Sequence, residues 1–332
     1  MTTWLITGTS SGFGRHLTEL LLQRGDTVAA TLRTLTRLDD LAEQHGSRLR
    51  RQALDVTDSA TVRAGTGEAF TALGRIDVVV PNAGYGLFGA AEELSDAQVE
   101  RQLATNVTGA IALVRAALPH LRAQGGGRIL QVSSMGGQLA FPGMSLYHAS
   151  KWAVEGFFEA LAAEVAPFGI TNTLIEPGMS RTGFAGPSAE VAPALAAYEG
   201  TPAAQFVRGE GIPLAAVPGD PRKVAAAMIR VAELPDPPRR QALGSDADAM
   251  IRATLQQRLA DMDAQREIAL STDADDFTAL SAGNATKASR RRSRRDDVRR
   301  DEVLTGPRCQ LCCTRGTVQP AVHQDARAPG AP

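Results

Sequence analysis

The chain has 332 residues, 43% of them apolar, enough for one large α/β domain or two small ones with a sizeable core. Its 35 basic and 36 acidic residues leave a net charge of −1, which excludes a polyanion-binding protein driven by bulk charge. That balance hides an asymmetry: residues 281–332 carry 11 Lys/Arg against 5 Asp/Glu, a net of +6, so the remaining 24 basic and 31 acidic residues put the first 280 at −7.

The opening MTTWLITGTSSG has neither a charged leader region nor a long apolar stretch, so no secretory signal or membrane anchor is expected there, and a cytoplasmic location is. Strands are predicted at Thr3–Thr7, Thr27–Leu32, Leu49–Leu54, Asp77–Val80, Arg128–Ser133 and Thr171–Glu176. Helices are predicted between and after them, at Phe13–Arg24, Ser59–Leu73, Ser95–Gln124 with an interruption near Asn106, Ser145–Val165, Pro221–Glu233 and Ala247–Leu270. Runs such as VVVP and RILQVSS are short and continuously apolar, as strands covered on both faces are. The alternation predicts an α/β fold: one doubly wound, Rossmann-type parallel sheet with helices on both faces, occupying residues 1–275. Between Met179 and Gly219 the pattern lapses into Gly, Pro and Ala, and a substrate loop or lid is expected. Residues 281–332 have no aromatic side chain and only six large aliphatic ones, so a disordered basic tail is expected.

The first strand runs into Thr7-Gly8-Thr9-Ser10-Ser11-Gly12-Phe13-Gly14 with a helix directly after it. A strand–turn–helix junction aims backbone N–H groups and the positive helix end at an anion, and glycines let a pyrophosphate approach. Gly8, Ser10, Ser11, Gly12, Phe13 and Gly14 are therefore candidate dinucleotide contacts, although the spacing G-x3-G-x-G differs from G-x-G-x-x-G. The second strand ends Ala29-Ala30-Thr31-Leu32-Arg33, with no acid for a ribose diol; Arg33 suits a 2′-phosphate, which favours NADP(H) while leaving NAD(H) possible. The alternative for Arg33 is a solvated arginine at a strand end; Arg15 and Arg37 could contribute, but a helix-face reading fits them equally well. Asp55 and Val56 after the third strand, and Asn82, Ala83 and Gly84 after the fourth, sit where ligands of open α/β sheets bind; each also suits a turn or cap.

Tyr147-His148-Ala149-Ser150-Lys151 places a phenol and an ammonium four apart on one helix face. A tyrosine titrates near 10 in water, so acid–base work at neutral pH needs a cation beside its anion. With only three tyrosines and three lysines in the chain, this meeting is more pointed than a packed Tyr beside a surface Lys. Ser134, thirteen residues before Tyr147, could hold the substrate oxygen as a donor; Ser133 is chemically its equal. Asn106, interrupting a helical pattern, could hold a water beside Lys151 or simply break the helix. His148 projects roughly 100° away from Tyr147 on a helix and is expected at the surface or an interface.

In order and mutual spacing, TGTSSGFG, NAG at 82–84, Asn106, Ser134, YHASK at 147–151 and EPG with Thr182 at 176–182 resemble the short-chain dehydrogenase/reductase family over about residues 3–270. The resemblance implies a catalytic set of Asn106, Ser134, Tyr147 and Lys151, with Tyr147 as general acid/base. It further implies Lys151 on the nicotinamide ribose, Pro177, Gly178 and Thr182 around its carboxamide, hydride transfer between a ketone and a secondary alcohol, no metal, and assembly as a homodimer or homotetramer. Pro81 departs from the family's usual asparagine.

The expected pocket lining is apolar, drawn from Tyr85, Leu87, Phe88, Gln138, Phe141, Met144, Met179, Phe184 and Tyr198, which suits a small apolar carbonyl or alcohol. In the tail, the Arg290–Arg300 cluster contains Asp296 and Asp297 and no stacking aromatic, and Cys309, Cys312, Cys313 and His323 lack a regular four-ligand spacing, so neither nucleic acid nor zinc is expected. The competing reading is a non-catalytic dinucleotide-binding sensor or scaffold.

Overall fold

A computed structural model describes residues 1–185, 189–209 and 213–274; the expected boundary at 275 and the basic tail, with its arginine cluster and all three cysteines, lie outside the described residues. Residues Met1–Ala264 form one compact unit. Its elements run β1 (Thr3–Thr7), α1 (Gly12–Arg24), β2 (Thr27–Leu32), α2 (Asp39–His45), β3 (Leu49–Ala53), α3 (Ser59–Leu73), β4 (Val78–Val80), β5 (Gly86–Phe88), α4 (Asp96–Leu103), α5 (Gly109–Ala123), β6 (Gly127–Val132), α6 (Ser145–Val165), β7 (Ile170–Pro177), β8 (Ala189–Val191), α7 (Pro202–Arg208), α8 (Pro221–Glu233), β9 (Arg240–Leu243) and α9 (Ser245–Ala264). The predicted helix Ala247–Leu270 breaks at Gln265, and a five-residue α10 (Arg266–Leu270) follows as a separate body.

Seven strands form one parallel sheet in the order β3-β2-β1-β4-β6-β7-β9. The period-2 alternation of strand side chains divides the core into two layers. Trp4, Ile6, Val28, Ala30, Leu130, Val132 and Ile175 pack with α1 and α8, while Leu5, Ala29, Ile129 and Leu174 pack with α3, α5 and α6. Helices therefore cover both faces, which is why the strand sequences read as unbroken apolar runs. Chain order reverses between β1 and β4, and ligands of such sheets bind beyond the strand carboxyl ends at that reversal. The turns after β1 and β4 meet there.

The helix predicted as Ser95–Gln124 is α4 and α5 joined by a π turn at Ala104–Thr108 that contains Asn106. Ser95 caps α4 with Gln98 in a reciprocal box, and Asp58 and Asp220 accept backbone N–H groups at the starts of α3 and α8. Ser11, at the start of α1, makes no such side-chain bond, and no acid lies in that helix's first turn.

The 179–219 segment is more regular than the sequence suggests. Its ends are zipped by a Ser180–Gly219 bridge, β8 pairs with β5 in a second, two-stranded sheet, and α7 packs onto Gly143. At Gly143 the backbone is left-handed, φ +76°, and a Cβ would stand 2.5 Å from Val207. Among the described residues no helix is long and apolar enough to cross a membrane.

Candidate active site

At the turn after β1, Gly8 has φ +70° and Gly12 φ +56°. A Cβ on Gly14 would lie 2.4 Å from the Gly8 carbonyl oxygen, and one on Gly8 would lie 2.8 Å from the Ala83 Cα, so the turn, α1 and the strand after the reversal touch through backbone. Asn82 fastens this contact: its amide donates to the carbonyls of Thr7 (2.8 Å) and Gly8 (3.1 Å). The backbone N–H groups of Asn82 and Ala83 in turn donate to the Thr7 hydroxyl at 3.0 and 3.1 Å. Thr182 faces the turn from the other side, 4.0 Å from where a Gly12 Cβ would be. An uncapped helix start bordered by glycines and threonine is a cradle with free N–H donors and no opposing acid, which fits a pyrophosphate.

Arg33 lies exposed at the end of β2 and no acid pairs with it among the described residues, whereas Arg15 is held by Glu19 and Asp40. Asp55 Oδ1 accepts from the backbone (2.9 Å) and hydroxyl (2.8 Å) of Thr57. Those bonds, with the nearby Arg33 guanidinium, hold its carboxyl below the ordinary range. Pro81 gives up a donor, but its carbonyl still accepts from Val132 at 3.0 Å and joins β4 to β6.

Tyr147 and Lys151 are both buried on one face of α6, with Nζ 5.7 Å from the phenol ring centroid. Nζ donates to the Val132 carbonyl at 3.1 Å. Burial pushes the Tyr147 phenol up to about 12, against a hydrogen bond with Ser134, and pulls the Lys151 ammonium down to about 8, against the charge of Glu155. The two serines ending β6 part company. Ser133 turns inward and donates to Glu155, while Ser134 faces the phenol. The Ser134 oxygen already accepts from the Gly136 N–H at 3.0 Å, so its proton is left to donate.

Asn106 is buried in the π turn, and its amide is committed within the protein. Oδ1 accepts from the Tyr85 N–H (3.1 Å), and Nδ2 donates to the Tyr85 carbonyl (3.0 Å) and to Ser150 Oγ (3.1 Å). Ser150 passes the link on to the Tyr147 carbonyl at 2.6 Å. The side chain thus braces the helix that carries the phenol.

His148 departs from expectation: it is buried. Its Nδ1 lies 3.0 Å from the Gly136 carbonyl and its Nε2 accepts from the Phe141 N–H at 2.9 Å, which stitches together the loop after Ser134. Those partners call for a neutral ring protonated on Nδ1, and burial holds the imidazole below its ordinary value. The 100° offset was right, but α6 lies against this loop on that side, so the direction leads inward.

Over the phenol lies Phe184, its ring centroid 5.1 Å from that of Tyr147 and 6.0 Å from Phe88. Gly86 makes room for it, since a Cβ there would stand 2.7 Å from the Phe184 ring. Phe141 stacks on Phe206 of α7 at 5.4 Å, and Leu87 and Met144 are buried nearby in the chain. Tyr198 instead turns its hydroxyl to Glu92 at 3.2 Å. Gly178, after β7, packs against Asp246 of α9, whose carboxylate takes the Met179 N–H at 2.7 Å.

Behind Lys151 is a group the motifs did not reveal. Glu155 accepts from Ser133 and, at 2.9 Å, from Arg240 Nε; Glu176 accepts from Gln138 at 2.9 Å and lies 3.5 Å from the same Nε. Burial, with the neighbouring Glu155 charge, raises the Glu176 carboxyl to about 7. Glu155 stands one helical turn past Lys151, a signal available in the sequence; Arg240 had none.

A family model described as short chain dehydrogenase matches residues 2–191. An oxidoreductase of Botryotinia fuckeliana (BOA17) is 40% identical over 245 residues, which cover 74% of this chain and 89% of that protein. The human 17-beta-hydroxysteroid dehydrogenase type 1 is 42% identical over 190 residues, 54% of this chain and 57% of that one. Among solved structures, a short-chain dehydrogenase from Streptomyces avermitilis superposes with a TM-score of 0.75 at 37% identity, over 82% of this chain and all (100%) of its own. An alcohol dehydrogenase from Thermococcus sibiricus complexed with 5-hydroxy-NADP gives 0.62 at 25% identity, over 74% and 97%. Fold, strand order, glycine turn and sequence agree: the chain belongs to the short-chain dehydrogenase family, oxidoreductases that act on CH–OH and C=O groups with nicotinamide cofactors.

Proposed function

We propose that this protein is an NADP(H)-dependent oxidoreductase that transfers a hydride between nicotinamide and a small apolar ketone or secondary alcohol, with Tyr147 as general acid/base. One observation carries the reading: Tyr147 and Lys151 are buried together on one face of α6, with the Ser134 hydroxyl beside the phenol.

The cofactor, when bound, supplies or accepts the hydride. Gly8, Ser10, Ser11, Gly12, Phe13 and Gly14 would hold its pyrophosphate on the uncapped start of α1. Arg33, with no acid paired to it, takes a ribose 2′-phosphate, and the absence of a carboxylate at the end of β2 favours NADP(H) over NAD(H). Asp55 and Val56 would border the adenine, Asn82, Ala83 and Gly84 would let the backbone approach the cofactor, and Pro177, Gly178 and Thr182 would surround the carboxamide.

Tyr147 is protonated at neutral pH because burial disfavours its anion, so it is set to give its proton to a carbonyl oxygen during reduction. Ser134 donates a hydrogen bond to that same oxygen. In the oxidative direction the phenolate must form, and the Lys151 ammonium behind the ring lowers its cost. Asn106, through Ser150, keeps the Tyr147 turn of α6 in place. The aromatic and aliphatic wall of Phe88, Phe141, Met144 and Phe184 favours an apolar substrate, as does the similarity to a hydroxysteroid dehydrogenase. Assembly as a homodimer or homotetramer and a location in the cytoplasm belong to this reading.

The test is a panel of ketones and secondary alcohols assayed with NADPH and NADH separately. Turnover of apolar ketones, faster with NADPH, is expected; binding of NADPH without turnover of any carbonyl would overturn the reading.

A further inference from the structure

A buried ammonium needs a compensating charge, and Lys151 does not have one in contact: its hydrogen bond goes to the neutral Val132 carbonyl. The negative charge nearest along α6 is Glu155, one turn on, also buried. Its position is over-determined. Ser133 from the end of β6 donates to one oxygen and Arg240 from β9 to the other, and a Cβ on Gly137 would stand 2.8 Å from its Cγ. Glu176 from β7 lies 3.5 Å from the same Arg240 Nε. Glu159 on α6 shares the Arg240 guanidinium at the solvent end. Thus Ser133, Gln138, Lys151, Glu159, Glu176 and Arg240 make up the polar surroundings of Glu155.

We propose that Glu155 is a positioning residue for Lys151: buried one turn along α6 and braced by Ser133 and Arg240, it supplies the fixed negative charge that keeps the buried ammonium protonated. A neutral residue at 155 would leave the ammonium to burial alone, which drives it neutral. The inference rests on the reading of Lys151 as the cation behind Tyr147.

The chain has only three lysines, Lys151, Lys223 and Lys287, so side-chain 13C-labelled lysine in the full-length protein gives three resolvable titrations by NMR. The Lys151 signal is identified by its loss in Lys151→Met. In Glu155→Gln its transition is expected to move down by about one unit or more. An unmoved Lys151 in Glu155→Gln overturns the proposal. A Lys151 transition below about 7 in the native protein also overturns it, because the ammonium would then be lost at neutral pH despite Glu155, and this decides the matter even if Glu155→Gln does not fold. Neither reading needs turnover. An active Tyr147→Phe enzyme would sink the catalytic reading and leave the Lys151 titration standing, whereas an unmoved titration would leave the catalytic reading intact.

Discussion

The turn after β1 and the first half of α6 solve opposite problems. The turn is made of backbone: Gly8, Gly12 and Gly14 leave out side chains, and the N–H groups at the helix start are left without a side-chain cap. The α6 face is made of side chains, Tyr147, Lys151 and Glu155, whose chemistry exists only because they are buried and partnered. The first is limited by sterics and indifferent to pH; the second is limited by charge and responds to it. A substitution in one region should therefore fail in a different currency from a substitution in the other.

The largest effect should come on the side-chain face. Tyr147→Phe removes the proton donor and little volume, and turnover is expected to fall about 10²–10⁴-fold while NADPH fluorescence on binding is unchanged. A variant that kept its rate would erase the distinction between the two regions. Next comes Arg33→Ala, at the border of the backbone turn. Loss of a charge-assisted bond of about 1.5–3 kcal/mol should cut the preference for NADPH over NADH in kcat/KM by roughly tenfold to a hundredfold. Equal loss with both cofactors would place Arg33 elsewhere.

Gly14→Ala tests the steric side directly. Its Cβ would meet the Gly8 carbonyl at 2.4 Å, backbone that cannot swing aside. Denaturant unfolding should show a loss of about 1–3 kcal/mol, the same at every pH. His148 gives the smallest and the pH-dependent counterpart. Its folded-state value lies below the ordinary 6.5, so the unfolded chain binds a proton first as pH falls. Stability is complete above about 6.5 and declines below it by at most about 1.4 kcal/mol per pH unit. His148→Gln should flatten that slope, and an unchanged slope would remove His148 as its source.

The same contrast governs what could be read in advance. Strands buried on both faces announce themselves as apolar runs, and β1, β2, β6 and β7 were legible for that reason. The edge strand β9, Arg-Gln-Ala-Leu and half-buried throughout, has neither an apolar run nor a clean alternation. The three-residue β5 and β8 are too short to show a period at all. At the site, Tyr147 and Lys151 were legible because helical spacing alone puts them together. Ser134 is preferred over Ser133 only through its spacing to Tyr147 and the resemblance, because neighbours at a strand end point to opposite sides and the packing of α6 says which side is which. Arg240 reaches Glu155 from 85 positions away, through the pairing of β9 with β7, which no local pattern encodes.

Gly86 has one more consequence. Phe184 comes over the phenol only because residue 86 lacks a Cβ, so a single methyl group added on β5, away from every proton-transfer group, would displace the aromatic cover and change the width available to a substrate. Under the proposed function, Gly86→Ala should therefore change substrate range while leaving Tyr147 and Lys151 as they are.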